Sequence, residues 1–399
     1  MRICKIWDAD YPWDIRVEKV VLTLEQAGHR VDLVCRNQAR RKRFEANGCL
    51  TIRRLPAIPP ALGPVHTICN FPFPFNPIWI RAIASSIRHA HSDLVLVRDL
   101  PLALPAAILG RIYRLPVILD MAENYPAMLA DRLNYTQTSA MGRCVRHPLP
   151  ARLIELLSIR LVQHIIVVVD ESRDRLIRDG VSPDRVSVVY NTPRLDQWKF
   201  KDYARIISHE NSGVNLVYLG NLDGSRGIDV AIRAVRHLKD IGSKAKLSVI
   251  GDGPNLLKLR ELVIQLEVSD RVAIMGRLPF SQVQSIMTES DIGLIPHYST
   301  AAWNSTIPNK LFDYMLLGLP VIVSDAKPTA RIVQAEGCGE VFQDRNPFDL
   351  ARCIRALESS QLRHQMGTAG RAAVQKRYNW DYDAPVLLRA IASVANNFA

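Results

Sequence analysis

The sequence predicts an α/β protein built from two doubly wound parallel sheets, and three observations carry that expectation. Short apolar runs such as "DLVLVRD", "LPVILDM" and "HIIVVVD" lack polar alternation, which is the pattern of strands buried on both faces. Amphipathic stretches with apolar residues three and four apart separate them. The alternation breaks at the polar "WKFKDYARIISHENSG" and restarts at "VNLVYLGN", as two domains of similar build would require.

"RICKIW" reads as the first strand. "RVEKVVLTLEQAG" follows as a helix with Val17, Val20, Val21 and Leu24 on one face, ended by Gly28. "RVDLVCR", the three runs above and "VSVVYN" complete the first series. The second series runs "VNLVYLGN", helix "GIDVAIRAVRHLKDIG", "KLSVIGDG", helix, "VAIMG", helix, "IGLIPH", the helix inside "STIPNKLFDYMLLGLPVIVSD", and "GEVF". The expected domains are residues 1–198 and 199–381, with a last helix over 382–399. "FPFPFNPIW" (Phe71–Trp79) is expected to be an exposed loop facing an acceptor or a membrane.

The 399 residues suffice for two domains. Seven cysteines, an odd number with no Cys-x-x-Cys pair, exclude a disulfide framework and a zinc knuckle and point to the reducing cytoplasm. No apolar run is long enough for a membrane span, and "MRICKIWDADYPWD" lacks the order of a signal peptide. Residues 1–200 hold 28 Lys and Arg against 19 Asp and Glu, including "RRKR" at Arg40–Arg43. That excess suits a phosphorylated ligand or an anionic membrane surface, or a plain solvated face; nucleic acid is not expected.

In open α/β sheets ligands bind beyond the carboxyl ends of the strands. At those ends in the second series stand Asn221, Gly224 and Arg226, then Gly251 and Gly253 of "GDGP", then Gly276, Arg277 and Leu278. Arg226 lies in a glycine-flanked turn before a helix, where backbone N–H groups, helix dipole and guanidinium can together hold a phosphate. Pro308 suits a first helical turn, so the N–H groups of Asn309, Lys310 and Leu311 are expected to point out as a second anion cradle, with the Lys310 charge added. Asp313 lies one turn on, where a carboxylate can accept two hydrogen bonds from a ribose diol or simply stabilise the helix dipole. "GDGP" lacks a third glycine, with Leu256 in its place, so a nicotinamide site is not expected. In the first series Asp14, Arg16, Asp99, Asp120, Glu123 and Tyr125 fall near strand-to-helix turns, with Glu123 the candidate base. His297 is read as structural. No His/Cys cluster has metal spacing and no serine triad appears.

Taken in order, "YLGNLDGSRGIDVAIRAV", "LSVIGDGP", "VAIMGRL", "DIGLIPH", "STIPNKLFDYMLLGLPVIVSD" and the closing "RYNWD" resemble glycosyltransferase family 4 over nearly the whole chain. The resemblance implies the GT-B fold, two Rossmann-like domains facing a cleft with the last helix crossing back to the first. It implies retaining transfer of a hexose-type sugar from a nucleotide sugar without a metal; no cofactor is expected, and the basic first half suggests a saccharide or lipid-linked acceptor at the inner face of an anionic membrane. Arg226 and Lys310 would then hold the diphosphate, Asp313 the ribose and Gly276–Leu278 the base, while Asp14, Arg16, Asp120 and Tyr125 face the acceptor. Three positions depart from the family pattern: Asn221 stands for an arginine, Ser305 for the first of two paired acids, and Ala122 for the histidine before Glu123. A non-catalytic nucleotide-sugar-binding protein and a nucleotide-sugar epimerase are the alternatives on the same fold.

Overall fold

The computed structural model describes residues 1–12, 14–57, 75–135, 147–197 and 213–398. They form two compact units, one made of Met1–Pro126, Pro148–Asn191 and Asp383–Ala399, the other of Ala127–His147 and Thr192–Tyr382.

The first unit is built on an eight-stranded sheet of order β3-β4-β2-β1-β5-β6-β7-β8. Its strands are β1 (Arg2–Ile6), β2 (Arg30–Cys35), β3 (Phe44–Asn47), β4 (Leu50–Arg54), β5 (Leu94–Arg98), β6 (Val117–Met121), β7 (His164–Val167) and β8 (Val186–Val188). All pair in parallel except β3 with β4, a hairpin turning at Gly48-Cys49 that periodicity alone did not reveal. The central strands β1, β5, β6 and β7 are buried on both faces, which is why their sequences do not alternate. Helices α1 (Ile15–Gln26), α2 (Pro77–Ala90), α3 (Ala103–Tyr113), α4 (Tyr125–Tyr135), α5 (Pro148–Leu161) and α6 (Asp170–Arg178) connect them. Asp14 caps α1 by accepting from the Val17 N–H at 2.8 Å.

The second unit holds a wholly parallel six-stranded sheet of order β11-β10-β9-β12-β13-β14. Its strands are β9 (Asn215–Leu219), β10 (Lys246–Ile250), β11 (Val272–Gly276), β12 (Ile292–Ile295), β13 (Val321–Ser324) and β14 (Gly339–Phe342). The helices are α7 (Ile228–Asp240), α8 (Leu256–Gln265), α9 (Phe280–Glu289), α10 (Lys310–Leu316), α11 (Lys327–Glu336), α12 (Pro347–Ala356), α13 (Ser360–Lys376) and α14 (Trp380–Phe398). α7 buries Ile228, Ala231, Ile232, Val235 and Leu238 along one stripe, as its spacing predicts.

The structure differs from expectation in two places. Ala127–His147 groups with the second unit rather than the first. The reason is side-chain chemistry: Thr300 donates to Asp131 at 2.6 Å, Arg345 donates to the Tyr135 hydroxyl at 2.6 Å, and the Tyr135 ring meets that of Tyr298 at 5.5 Å. Of the expected loop Phe71–Trp79, residues 71–74 lie outside the described residues, as do 198–212 of the polar linker. Asn76 and Pro77 instead start α2, and Trp79 is fully buried in it. From Asp383 onward α14 belongs to the first unit, burying Leu387 and Ile391, and Asp383 accepts from the Tyr190 N–H at 3.3 Å.

Candidate active site

In the second sheet the strand order reverses between β9 and β12, so crossovers leave on opposite faces there and a crevice opens at the carboxyl ends. Three cationic or imidazole groups converge at this point. Lys310, the first residue of α10, is 8% exposed and puts Nζ 3.8 Å above the Tyr218 ring and 3.4 Å from Nε2 of His297. His297 follows β12, is 2% exposed and tilts against Trp303 at 4.0 Å. Arg226, in the turn between β9 and α7, lies 4.4 Å over the other partner of that stack, Trp303, and donates to Asp223 at 2.9 Å.

These groups disturb one another. Burial, then Arg226, hold the Lys310 ammonium well below its ordinary value, with Asp223 and Asp313 opposing. Burial, Lys310 and Arg226 likewise hold His297 well below the usual imidazole range. Burial pushes the Asp223 carboxyl up, but Arg226 and the Ser225 hydrogen bonds outweigh it and leave it low. Among the described residues Arg226 is paired with Asp223 at 2.9 Å, whereas an ammonium at Lys310 has no carboxylate in contact with it. That is the electrostatic requirement of an anion-binding site.

Beside the cations lies a cavity of about 580 Å³ lined by Asn221, Gly251, Asp252, Gly253, Arg277 and Leu278 among others. Gly251 and Gly253 earn their place by close approach: a Cβ on Gly251 would stand 1.8 Å from the Gly220 carbonyl oxygen, and one on Gly253 would stand 2.4 Å from Oδ1 of Asn221. They let the two loops nest and so shape the cavity wall. Gly276 ends β11, and its carbonyl accepts from the Gly251 N–H at 2.8 Å. Asp313 is half-buried in the first turn of α10, one turn beyond Lys310.

Other expected donor contacts are used internally. The Leu311 N–H closes a turn on the Pro308 carbonyl at 3.1 Å, and both side chains are buried, so the expected cradle does not include Leu311. Gly224 faces Tyr135, whose carbonyl oxygen would lie 2.6 Å from an added Cβ, so it admits a neighbouring backbone rather than a phosphate. Ser305 is buried and donates to the carbonyls of Ala301 at 2.7 Å and Ala302 at 3.0 Å.

In the first unit, β1 lies between β2 and β5, giving that sheet its own reversal. Arg16 and Asp120, expected at an acceptor surface, are instead a fully buried ion pair at 2.7 Å, and Arg16 also donates to the Val189 carbonyl at 3.0 Å. Burial alone would raise Asp120, but Arg16 and Arg98 hold it far below the carboxylate range. Asp14 is the α1 cap already described. Three further acids, Asp99, Asp8 and Glu123, follow strands of this sheet at the same edge. Asp99 follows β5 at φ +59°, outside the usual range for a side-chain-bearing residue, and accepts from the Ala122 N–H at 2.9 Å. Burial and then Asp99 push the Asp8 carboxyl, two residues after β1, up to about 6. Burial, Asp99, Asp8 and Glu123 together raise the phenol of Tyr125, the first residue of α4. Glu123 is half-buried in the turn before it.

Sequence reasoning therefore missed Asp8, Trp303 and the pairing of His297 with Lys310. The carboxyl-edge rule that selected Arg226 applies equally to Asp8 and His297. For Trp303 only its place two residues before Ser305 gave a signal.

Two Rossmann-like units with a cationic site at the switch point of the second are the architecture that the GT-B resemblance implies. The family model for glycosyl transferases group 1 matches residues 201–373, and that for the glycosyl transferase 4-like domain matches residues 15–192. The chain belongs to this family. It is similar to WcaL of Escherichia coli (strain K12), provisionally named a colanic acid biosynthesis glycosyltransferase, at 27% identity over 225 residues. That match takes in 55% of this chain and 53% of WcaL, so the chain spans about half the length of the curated relatives it matches. Among solved structures, sucrose-phosphate synthase from Thermosynechococcus elongatus matches with a TM-score of 0.75 at 17% identity, covering 99% of each chain. Anabaena Alr3699/HepE in complex with UDP matches with a TM-score of 0.71 at 15% identity, covering 98% of this chain and all of that one. At such identities these likenesses show the fold. No helix among the described residues is long and apolar enough to cross a membrane.

Proposed function

We propose that the chain is a retaining hexosyltransferase that takes its sugar from a nucleoside diphosphate donor. The observation that carries this is Lys310, a buried lysine without an ion-pair partner among the described residues, set beside Arg226 at the β9/β12 switch point. A diphosphate supplies the missing negative charge. In the same reading Asp313 accepts from the ribose hydroxyls, and the cavity by Arg277 and Leu278 takes the base. HepE, solved with UDP, supports a nucleotide at this kind of fold.

As the bond from anomeric carbon to phosphate oxygen breaks, negative charge grows on the leaving diphosphate. Lys310 and Arg226 are already placed to stabilise it, the kind of preorganised electrostatics that dominates many catalytic effects. In this role they do the work of a divalent cation, and we expect turnover to survive chelation. The acceptor hydroxyl is held by the first unit, where Glu123, Asp8 and Tyr125 are the groups able to orient it or take its proton. WcaL's name supports a surface-polysaccharide precursor as acceptor, and the basic first half supports a lipid-linked one at an anionic membrane surface.

The test is thermal protection across a panel of nucleotide sugars, followed by transfer to a lipid-linked saccharide. Protection by a nucleotide sugar that Lys310→Ala and Arg226→Ala abolish is the expected result. Protection that survives both substitutions would overturn the assignment.

A further inference from the structure

We propose that the outer face of α2, α3 and α5 in the first unit docks on an anionic lipid bilayer. β5, β6 and β7 are successive neighbours, so right-handed crossovers carry α3 and α5 over one face of the sheet; α3 packs against both α2 and α5. The outside of this layer is apolar. Ile108 and Ile112 stand one turn apart on α3, 40% and 65% exposed. Leu149, Leu153 and Leu157 stand on successive turns of α5, 69%, 60% and 41% exposed.

α5 is turned inside out relative to an ordinary surface helix. Its inward stripe buries Ala151, Glu155, Ser158 and Ile159, and Glu155 is bound there by Arg152 and Arg175 at 2.5 and 2.8 Å. The leucines face water. Helices that lie in a membrane interface present such a stripe, flanked by basic residues.

The charges around it have one sign. Arg81 and Arg88 on α2, Arg111 on α3, Arg114 at its cap and Arg160 on α5 are exposed, and none of them is in an ion pair among the described residues. The only acid within the three helices is the buried Glu155. The patch ends at α6, where the acid Asp174 is exposed. A bilayer with anionic headgroups satisfies both the leucines and the arginines. A second copy of the chain satisfies only the leucines, because a twofold contact would set the same unpaired arginines against each other.

Helix N-termini in such a sheet lie at the carboxyl edge, so Leu149 shares that edge with Asp99 and Glu123. Docking by this face would hold those acids near the headgroups. This inference rests on the reading of a lipid-linked acceptor, and its test is kept separate from the donor site.

The experiment is flotation of the full chain with vesicles of phosphatidylglycerol and phosphatidylethanolamine, or of phosphatidylcholine alone, at 0.15 M salt. Binding to the anionic vesicles is expected to be at least tenfold tighter. Leu153→Ser with Leu157→Ser, and separately Arg111→Glu with Arg114→Glu, should each weaken it tenfold or more. Protection against thermal unfolding by inorganic pyrophosphate reports the donor site and should stay unchanged in both double variants. No binding by the wild-type chain, or binding that neither variant weakens, would overturn the proposal. So would light scattering that shows a dimer dissolved by the leucine substitutions, which would make the face a self-interface.

Discussion

Nζ of Lys310 stands 3.4 Å from Nε2 of His297, and both residues are buried. When Lys310 is an ammonium it can only donate, so Nε2 then accepts and the imidazole proton sits on Nδ1, which has no hydrogen-bond partner among the described residues. Lys310 is held well below its ordinary value in the free site, and an arriving diphosphate favours its ammonium form. Diphosphate binding should therefore take up a proton at pH above the depressed free value. Affinity should fall as pH rises, by up to about tenfold per unit for one linked proton. Calorimetry in buffers of different ionisation enthalpy measures this uptake. His297→Leu removes the acceptor and should move the affinity curve to lower pH; an upward or absent shift would count against the pairing.

Arg226 and Lys310 should matter for turnover more than for folding. Replacing either with alanine is expected to lower kcat by about a hundredfold or more, the scale seen when one preorganised charge-stabilising donor is lost. The midpoint of thermal unfolding should stay close to that of the unaltered chain. Lys310→Ala leaves no buried charge behind and relieves the desolvation of the ammonium. Near-normal kcat in both variants would sink the assignment.

The Arg16–Asp120 pair should behave in the opposite way. It is fully buried, so Asp120→Ala leaves a guanidinium without its countercharge. A loss of about 3–5 kcal/mol in stability is expected from breaking such a pair. Removing the α1 cap with Asp14→Ala should lose about 0.5–2 kcal/mol. Denaturant titration ranks the two, and equal effects would contradict the burial argument.

Asp8 gives a pH-dependent expectation of opposite sign to a normal salt bridge. Its carboxyl is raised from an ordinary 3.8 to about 6, so the folded state favours the protonated form. The unfavourable contribution of the ionised form appears as pH climbs from about 4 through 6. Asp8→Asn should therefore stabilise the protein by about 1–3 kcal/mol at pH 7.5 and leave it unchanged at pH 3.5. Thermal unfolding at the two pH values checks it. If Asp8 faces the acceptor, turnover should drop in the same variant.

Restoring the family's acid at position 305 should fail. Ser305 is buried against the carbonyls of Ala301 and Ala302, so a glutamate there would bring its carboxylate up against two acceptors. Ser305→Glu is expected to lower stability without raising turnover. A gain in turnover would show that this turn can open toward the donor sugar.

The sheets were legible because their strands are buried on both faces and leave long apolar runs, as "HIIVVVD" does for β7. The β3–β4 hairpin was not, because Phe44–Asn47 is an exposed edge with little apolar content. Arg226 and Lys310 could be singled out as candidates because a turn before a helix and a helix start carry local signals. Arg16 and Asp120 were misplaced for a reason that no local pattern reveals. They are 104 residues apart, and only the assembled sheet brings one charge onto the other. The same holds for Ala127–His147, whose grouping depends on Thr300 and Arg345 far along the chain.

The return of α14 to the first unit has a consequence for synthesis. Leu387 and Ile391 are fully enclosed there, yet the ribosome makes them after every residue of the second unit. The early-made sheet must wait, with an apolar groove open, until α14 emerges. Nascent chains arrested before residue 383 should thus recruit chaperones through this groove, and release should coincide with the emergence of α14.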